Sequence, residues 1–149
     1  MQTTGQKLFR IQRDSRSIEQ KTRQGFIHVE PDINSRNFKA VAAEGPAPSD
    51  AYLVNFGKYV FTEQVVTLLA GLGMRPGLPM ELADLSMSNP GSKELAGCLP
   101  AVALGDEMEG GLGNLLVVFL AGDATGRALS LHWQGGGWND SYWFLGFRK

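Results

Sequence analysis

The spacing of apolar residues changes along this chain from a helical to a strand-like pattern, and this change limits the folds that it can adopt. Between residues 62 and 88, apolar residues recur at intervals of three and four, as on one face of a helix. From residue 100 onward they form continuous runs or alternate with polar residues, as in strands. Two helices followed by a C-terminal antiparallel β-meander therefore indicate an α+β fold.

Local signals predict where these elements begin and end. Thr62 suits the N-cap of a first helix, and Gly73 suits its left-handed C-cap position. Pro79 suits the first turn of a second helix. The apolar stripe of the first helix consists of Val65, Val66, Leu68, Leu69 and Leu72. We expect strands at 26–29, 52–56, 101–104, 115–120, 127–133 and 142–148, turns at 122–126 and 135–137, and a Gly-rich acidic loop at 105–114.

The turn-rich stretch 45–50 marks our predicted boundary between two parts of the chain. We expect a basic N-terminal segment at 1–49, partly ordered or oligomerising, and an α+β domain at 50–149. Residues 1–45 carry eight Lys and Arg against five acids, whereas the rest carries six against ten, so the charges are +3 and −4. A basic segment can bind nucleic acid, but no nucleic-acid-binding motif accompanies it. We favour a solvated segment, or one docked on its own domain.

Composition also limits the classes of protein to which this chain can belong. No apolar run approaches the roughly 20 residues that cross a bilayer, and no secretory signal is recognisable at the N-terminus. We therefore expect a cytoplasmic protein or a component of a phage particle, without a membrane partner. The single cysteine, Cys98, excludes an intramolecular disulfide and a thiolate zinc site.

Three tryptophans lie within eleven residues near the C-terminus, among amide, carboxyl, hydroxyl and glycine residues. This mixture is typical of binding surfaces, because rigid aromatic rings supply contact area and short polar groups supply adaptable hydrogen bonds. The candidate ligand-binding residues are Trp133, Gln134, Trp138, Asn139, Asp140 and Tyr142. The same pattern fits a sheet whose tryptophans anchor the core and whose three glycines form a turn, so both interpretations stay open.

Residues 51–149 resemble the C-type-lectin-like fold. The stretch 61–82 is similar to the first helix, Gly-Pro turn and Leu-Pro start of the second helix in that fold, and residues 143–148 resemble the C-terminal end of its bacterial and phage members. Those members include the variable proteins of diversity-generating retroelements and formylglycine-generating-enzyme-like domains. The triplet at 138–140, Trp-Asn-Asp, also matches true C-type lectins. The resemblance implies a ligand surface on the final strands.

The resemblance also implies calcium ligands at Asn139 and Asp140. The companion Glu-Pro-Asn or Gln-Pro-Asp loop is missing just before the triplet, and formylglycine-generating chemistry needs more cysteine than this chain has. Asp106, Glu107 and Glu109 do not have the alternate spacing of a calcium loop, so a solvated acidic loop is expected. We therefore predict no cofactor and no metal site, calcium being supported by only part of its motif.

Nucleophilic catalysis would require a pair such as Cys98 and His132 together with an acid. Cys98 has no flanking motif, so we expect a small buried thiol and no enzyme activity. Our leading hypothesis is a non-enzymatic module that presents its C-terminal Trp, Tyr and Asn residues to a protein or a glycan. The alternative is a structural or assembly protein of a phage or multi-subunit particle, a homo-oligomer with the Trp surface at a subunit contact.

Overall fold

A computed structural model describes residues 5–39 and 49–149, which combine helices with one mixed sheet. The helices are α1 (Ile18–Lys21), α2 (Thr62–Gly71), α3 (Pro79–Ser88) and α4 (Lys93–Ala96). The strands are β1 (Gly5–Ile11), β2 (His28–Val29), β3 (Ser49–Asn55), β4 (Met74–Pro76), β5 (Ala101–Glu109), β6 (Leu115–Gly122), β7 (Arg127–Trp133) and β8 (Trp143–Arg148). No helix in the described ranges is long and apolar enough to cross a membrane.

The two longer helices lie where the sequence predicts them. Pro79 is the first residue of α3, where its missing N–H costs no hydrogen bond. The predicted N-cap of α2 is displaced by one residue, because Phe61 holds that position and its N–H donates to Gln64 Oε1 at 2.8 Å. Of the predicted apolar stripe, Val65 and Leu69 are buried, whereas Val66 is 40% exposed.

The described strands form a sheet in the order β1-β3-β8-β5-β6-β7-β2, and β4 pairs with the C-terminal part of β8. Strands β5, β6 and β7 are antiparallel neighbours in sequence order. Strand β8, however, inserts between β3 and β5, antiparallel to the first and parallel to the second. The stretch 135–137, predicted as a turn between the last two strands, therefore belongs to a crossover rather than to a hairpin.

The sequence of β8 accounts for its central position. Phe144 belongs to one cluster of buried apolar residues, and Leu145 and Phe147 belong to another. Because alternate residues of a strand point to opposite faces, both faces of β8 need cover. Between β3 and β5, the residues of β8 pack with those of α3 on one face and with those of α2 on the other.

Strand β5 is longer than predicted. It continues through the expected acidic loop to Glu109, with a register shift against β6 between Ala103 and Met108. The prediction of a loop at 105–109 is therefore wrong. Glu107 and Glu109 are exposed while Asp106 and Met108 are half-buried, so the exposed residues occupy alternate positions of a strand with one solvated face.

Apolar side chains cover both faces of the sheet. On one face, Ala101, Val118 and Leu145 pack with residues of α3 such as Leu82 and Leu85. On the other face, a cluster contains residues of α2 and the aromatic rings of Trp138 and Phe144. Trp138 and Tyr142 lie on this second face, whereas Trp143 packs against the first cluster.

The N-terminal segment packs on the remainder of the chain over its described residues. Strand β1 pairs with β3 along seven residues, and the first cluster contains Phe9, Ile11, Ile18, Ile33 and Phe38. Of the predicted boundary at 45–50, residues 45–48 lie outside the described residues, and Ser49 and Asp50 begin β3.

Several basic residues of this segment pair with acids. Lys21 Nζ lies 2.9 Å from Asp84 Oδ1, and both side chains are buried. Arg13 reaches the buried carboxylate of Glu81, which Arg75 also binds at 2.7 and 2.8 Å. Part of the +3 charge of residues 1–45 thus balances carboxylates of α3.

Candidate functional site

The three C-terminal tryptophans lie in three different environments. Trp133 ends β7 and is 50% exposed, whereas Trp138 is fully buried and Trp143, at the start of β8, is half-buried. Only Trp133 therefore presents a large part of its indole ring to solvent. The sequence pattern does not distinguish the three tryptophans, but the fold exposes one, buries another fully and half-buries the third.

Trp138 is a core residue, so its indole does not contribute to the predicted ligand surface. Its ring lies 4.9 Å from His132, 5.0 Å from Tyr142 and 6.0 Å from Phe144, measured between ring centroids. Its backbone exchanges two hydrogen bonds with Val60, at 2.7 and 2.9 Å. The buried indole N–H donates to Thr62 Oγ1 at 3.0 Å, which satisfies its only polar group.

Thr62 connects this core to the Gly-rich turn. While its hydroxyl oxygen accepts from Trp138, the hydroxyl donates to the carbonyl oxygen of Gln134 at 3.0 Å. Gln134 begins a short 3-10 turn, Gln134–Gly136, directly after Trp133. The N-terminus of α2 thereby fixes the backbone from which the exposed indole of Trp133 projects.

Glycines allow two aromatic rings to lie against this turn. A Cβ atom at Gly135 would lie 2.7 Å from Cε2 of Trp133, so only glycine permits the indole to approach this closely. Gly137 has a φ of 79°, and a Cβ atom there would collide with the ring of Tyr59. The Tyr59 hydroxyl also donates to the carbonyl oxygen of Gly136. The Gly-Gly-Gly sequence is thus explained by packing with Trp133 and Tyr59.

The remaining predicted residues lie beyond the turn. Asn139 is exposed, and its Oδ1 accepts from the N–H and hydroxyl of Ser141, at 2.9 and 2.6 Å. Asp140 is exposed, while its backbone carbonyl accepts from the Asn55 side chain at 2.8 Å. Tyr142 is half-buried and its ring packs edge-on against Trp138. Asn139 Oδ1 therefore stabilises a local turn.

The described residues contain no group of three or more His, Cys, Asp or Glu side chains arranged to hold a metal ion.

The carboxylate of Asp123 stabilises a turn. It accepts hydrogen bonds from the N–H groups of Thr125 and Gly126 and from the Thr125 hydroxyl. These hydrogen bonds lower the pKa of its carboxyl, and they belong to the predicted turn at 122–126.

A groove of about 650 Å³ opens beside Trp133, and we call it the aromatic groove. Of the predicted site residues, Trp133 and Gln134 line it. The predicted ligand-binding residues did not include the other side chains that line it, which come from α2, β5, the loop before β6 and the first residue of β6: Thr62, Glu63, Val66, Thr67, Glu107, Asn114 and Leu115. Gln134 Nε2 donates to Glu107 Oε1 at 3.2 Å, which joins two walls of the groove.

Tyr59, which contacts the same turn, packs against another exposed aromatic residue, Phe61. Tyr59 is 54% exposed and Phe61 is 48% exposed, and their rings pack edge to face with centroids 5.3 Å apart. With Trp133 and Val66, they give this side of the molecule an apolar surface in contact with solvent.

The tip of the β5–β6 connection lies next to the groove. Leu112 is fully exposed and has a φ of 61°, in the left-handed region that non-glycine residues rarely adopt. Gly113 and Asn114, the next two residues, line the groove. An apolar side chain at this tip adds to the solvent-exposed apolar surface.

The structure does not bring Cys98 and His132 into a common site. Cys98 is buried in the cluster around α3, and burial raises the pKa of its thiol. His132 packs against Trp138, in the cluster on the opposite face, and its Nδ1 lies 2.8 Å from the carbonyl oxygen of Trp133. The expected buried thiol at Cys98 is confirmed.

Comparisons of this chain with protein-family models, with curated proteins and with solved structures each return no match. The fold and the groove together define the structural class of this protein. It is a mixed fold of helices and one sheet, with a solvent-exposed aromatic groove between the N-terminus of α2 and the end of β7.

Proposed function

We propose that this protein is a non-enzymatic binding module whose aromatic groove takes a protein or a glycan ligand. The observation that carries the proposal is the exposure of Trp133, Tyr59 and Phe61 around one turn. Large exposed aromatic side chains beside a concave surface are typical of binding sites, because their burial contributes much of the binding free energy. Trp133 is the residue expected to contribute most.

The rigid support of Trp133 favours this proposal. The turn that follows it is fixed by Thr62 through Gln134 and by Tyr59 through Gly136. A binding residue on a fixed backbone loses less conformational entropy when the ligand binds. A flexible exposed tryptophan would give weaker support.

We further propose that the mixed helix and sheet fold of residues 51–149 is a C-type-lectin-like fold. In support, strand β3, helices α2 and α3, antiparallel strands β5 to β7 and a final strand β8 follow one another in the order that the resemblance implies. The groove is built from the end of β7 and the turn after it, near the surface that the resemblance points to. The proposal does not include calcium, since Asn139 Oδ1 already accepts two hydrogen bonds from Ser141.

Selection of ligands tests this function. A random peptide display library and a glycan array would be screened on wild-type protein, and the binders measured again on Trp133→Ala and on Ile27→Ala. Ile27 is a suitable control because it is 74% exposed and does not line the groove. We expect binders that lose about tenfold or more in affinity with Trp133→Ala alone, which corresponds to about 1.4 kcal/mol. Binders insensitive to Trp133→Ala would overturn the proposal.

A second candidate, an assembly protein with this surface at a subunit contact, is favoured by the full exposure of Leu112. Light scattering on wild type and Trp133→Ala separates the two functions. A monomer in both cases supports ligand binding. An oligomer that dissociates in the Trp133→Ala variant supports the assembly function.

A further inference from the structure

We infer that the aromatic groove accepts an arginine side chain of a protein partner. This inference rests on the proposed function and specifies its ligand. The titratable residues that line the groove are Glu63 and Glu107, both exposed, and no Lys, Arg or His side chain is among the described residues lining it. The charge of the groove therefore complements a cation.

The indole of Trp133 supplies the second part of the recognition. A Trp ring attracts a cation placed over its face more strongly than Tyr or Phe, and a carboxylate nearby adds direct attraction. Glu107 is held in place because Gln134 Nε2 donates to its Oε1. Glu63 lies in the first turn of α2, whose N-terminus is fixed through Thr62. The carboxylates and the ring thus belong to one supported surface.

Elsewhere in the protein, two arginines are already bound by the same two kinds of group, an aromatic ring and a carboxylate. The guanidinium carbons of Arg13 and Arg75 lie 4.9 and 4.8 Å from the centroid of the Phe147 ring, and both side chains bind the carboxylate of Glu81. Each arginine thus combines an aromatic face with a carboxylate. The aromatic groove offers both of these partners, and the described residues that line it supply no cation.

The surroundings of the groove favour a protein over a glycan. Val66 lines the groove and the exposed Leu112 lies at its margin, so a partner that reaches both must bury apolar side chains as well as a charge. The side-chain amide of Gln134, a group suited to sugar hydroxyls, already donates to Glu107. A basic side chain flanked by apolar residues satisfies all of these features.

The test uses acetyl-Leu-Arg-Leu-Gly-amide, in which apolar residues flank the arginine, and its citrulline analogue, which has nearly the same shape but no charge. Binding would be followed by NMR through the Trp133 indole N–H signal, assigned from its loss in Trp133→Phe. We expect a saturable shift with the arginine peptide, weaker at high salt, and binding of the citrulline peptide at least about fivefold weaker.

Charge variants complete the experiment. The double variant Glu63→Gln/Glu107→Gln is expected to weaken arginine-peptide binding about three- to tenfold. The matched control is Asp32→Asn/Glu94→Gln, since both side chains are exposed and neither residue lies on an element that lines the groove. The control should bind the arginine peptide like wild type.

Equal binding of the two peptides, or no Trp133 shift with the arginine peptide, would overturn the inference. If library binders still depend on Trp133 in that case, the proposed function stands and only its cationic ligand fails. If no binder depends on Trp133, the proposed function fails as well.

Discussion

Trp138 and Thr62 are joined by a hydrogen bond of 3.0 Å from the buried indole N–H to the threonine hydroxyl oxygen. Through the second hydrogen bond of that hydroxyl, to the carbonyl of Gln134, the core tryptophan is connected to the turn that carries the exposed one. A buried residue and a surface residue of the same Trp segment therefore depend on one side chain of α2.

Replacement of Thr62 by valine should destabilise the protein by about 1–3 kcal/mol. The change leaves the indole N–H of Trp138 buried without an acceptor, and an unpaired buried donor costs about this much. Thr67→Val is the matched control, since Thr67 is exposed on the same helix; its effect should stay within about 0.5 kcal/mol. Urea unfolding measures both values, and equal stabilities would refute the role of this hydrogen bond.

Two tryptophan replacements should differ sharply in their effect on folding. Trp138→Ala removes a fully buried ring and is expected to cost about 3–5 kcal/mol. Trp133→Ala removes a half-exposed ring and should cost less than about 1 kcal/mol. Thermal unfolding followed by circular dichroism provides the comparison. A large loss in both variants would mean that Trp133 serves the core and not a surface.

Two glycine-to-alanine changes should shift stability in opposite directions. Gly137→Ala is expected to destabilise by more than about 1 kcal/mol, because Gly137 has a positive φ and faces the Tyr59 ring. Gly71→Ala should stabilise by about 0.4–1 kcal/mol, since Gly71 ends α2 with no atom within 4 Å of the added methyl group. Chemical unfolding of both variants tests the sign, and a stabilised Gly137→Ala protein would contradict this account of the turn.

Glu81 should make stability depend on pH in the acid range. Burial of this carboxyl opposes its ionisation, but hydrogen bonds from Arg75, Arg13 and the Leu78 N–H outweigh burial and lower its pKa below the ordinary 4.5. A lowered folded-state pKa contributes stability that is present above 4.5 and is lost as the pH falls through the folded-state pKa.

The variant Glu81→Gln isolates this contribution. We expect it to be about 1.5–3 kcal/mol less stable than wild type at pH 7, the range for hydrogen bonds to a charged group. The difference should shrink as the pH falls below 4.5, because only the wild type loses a paired carboxylate there. A pH-independent difference would show that the ion pairs do not account for it.

The sequence predicts the helices well because their signals are local. Pro79 begins a helix by its own stereochemistry, and the spacing of Val65 and Leu69 selects the buried face of α2. The continuation of β5 to Glu109 was missed because its glycine and acidic residues resemble a loop, whereas pairing with β6 makes them a strand. Pairing between distant segments overrides such local preferences.

The site was predicted only in part for the same reason. Trp133 and Gln134 line the groove, but the burial of Trp138 depends on α2 and on the bridge to Val60, which lies 78 positions earlier in the chain. The groove residues Glu63 and Glu107 come from separate elements that only the sheet and α2 bring together. Composition drew attention to the segment that contains Trp133, whereas the three-dimensional contacts distinguish its exposed residues from its buried ones.

The affinity of library-selected ligands for wild type, Trp133→Ala and Ile27→Ala is the most direct measurement of the central claim, that the groove beside Trp133 is a ligand-binding surface. With all three proteins shown to be folded, we predict a loss of about tenfold or more for Trp133→Ala and none for Ile27→Ala. Equal affinities for wild type and Trp133→Ala would contradict the claim.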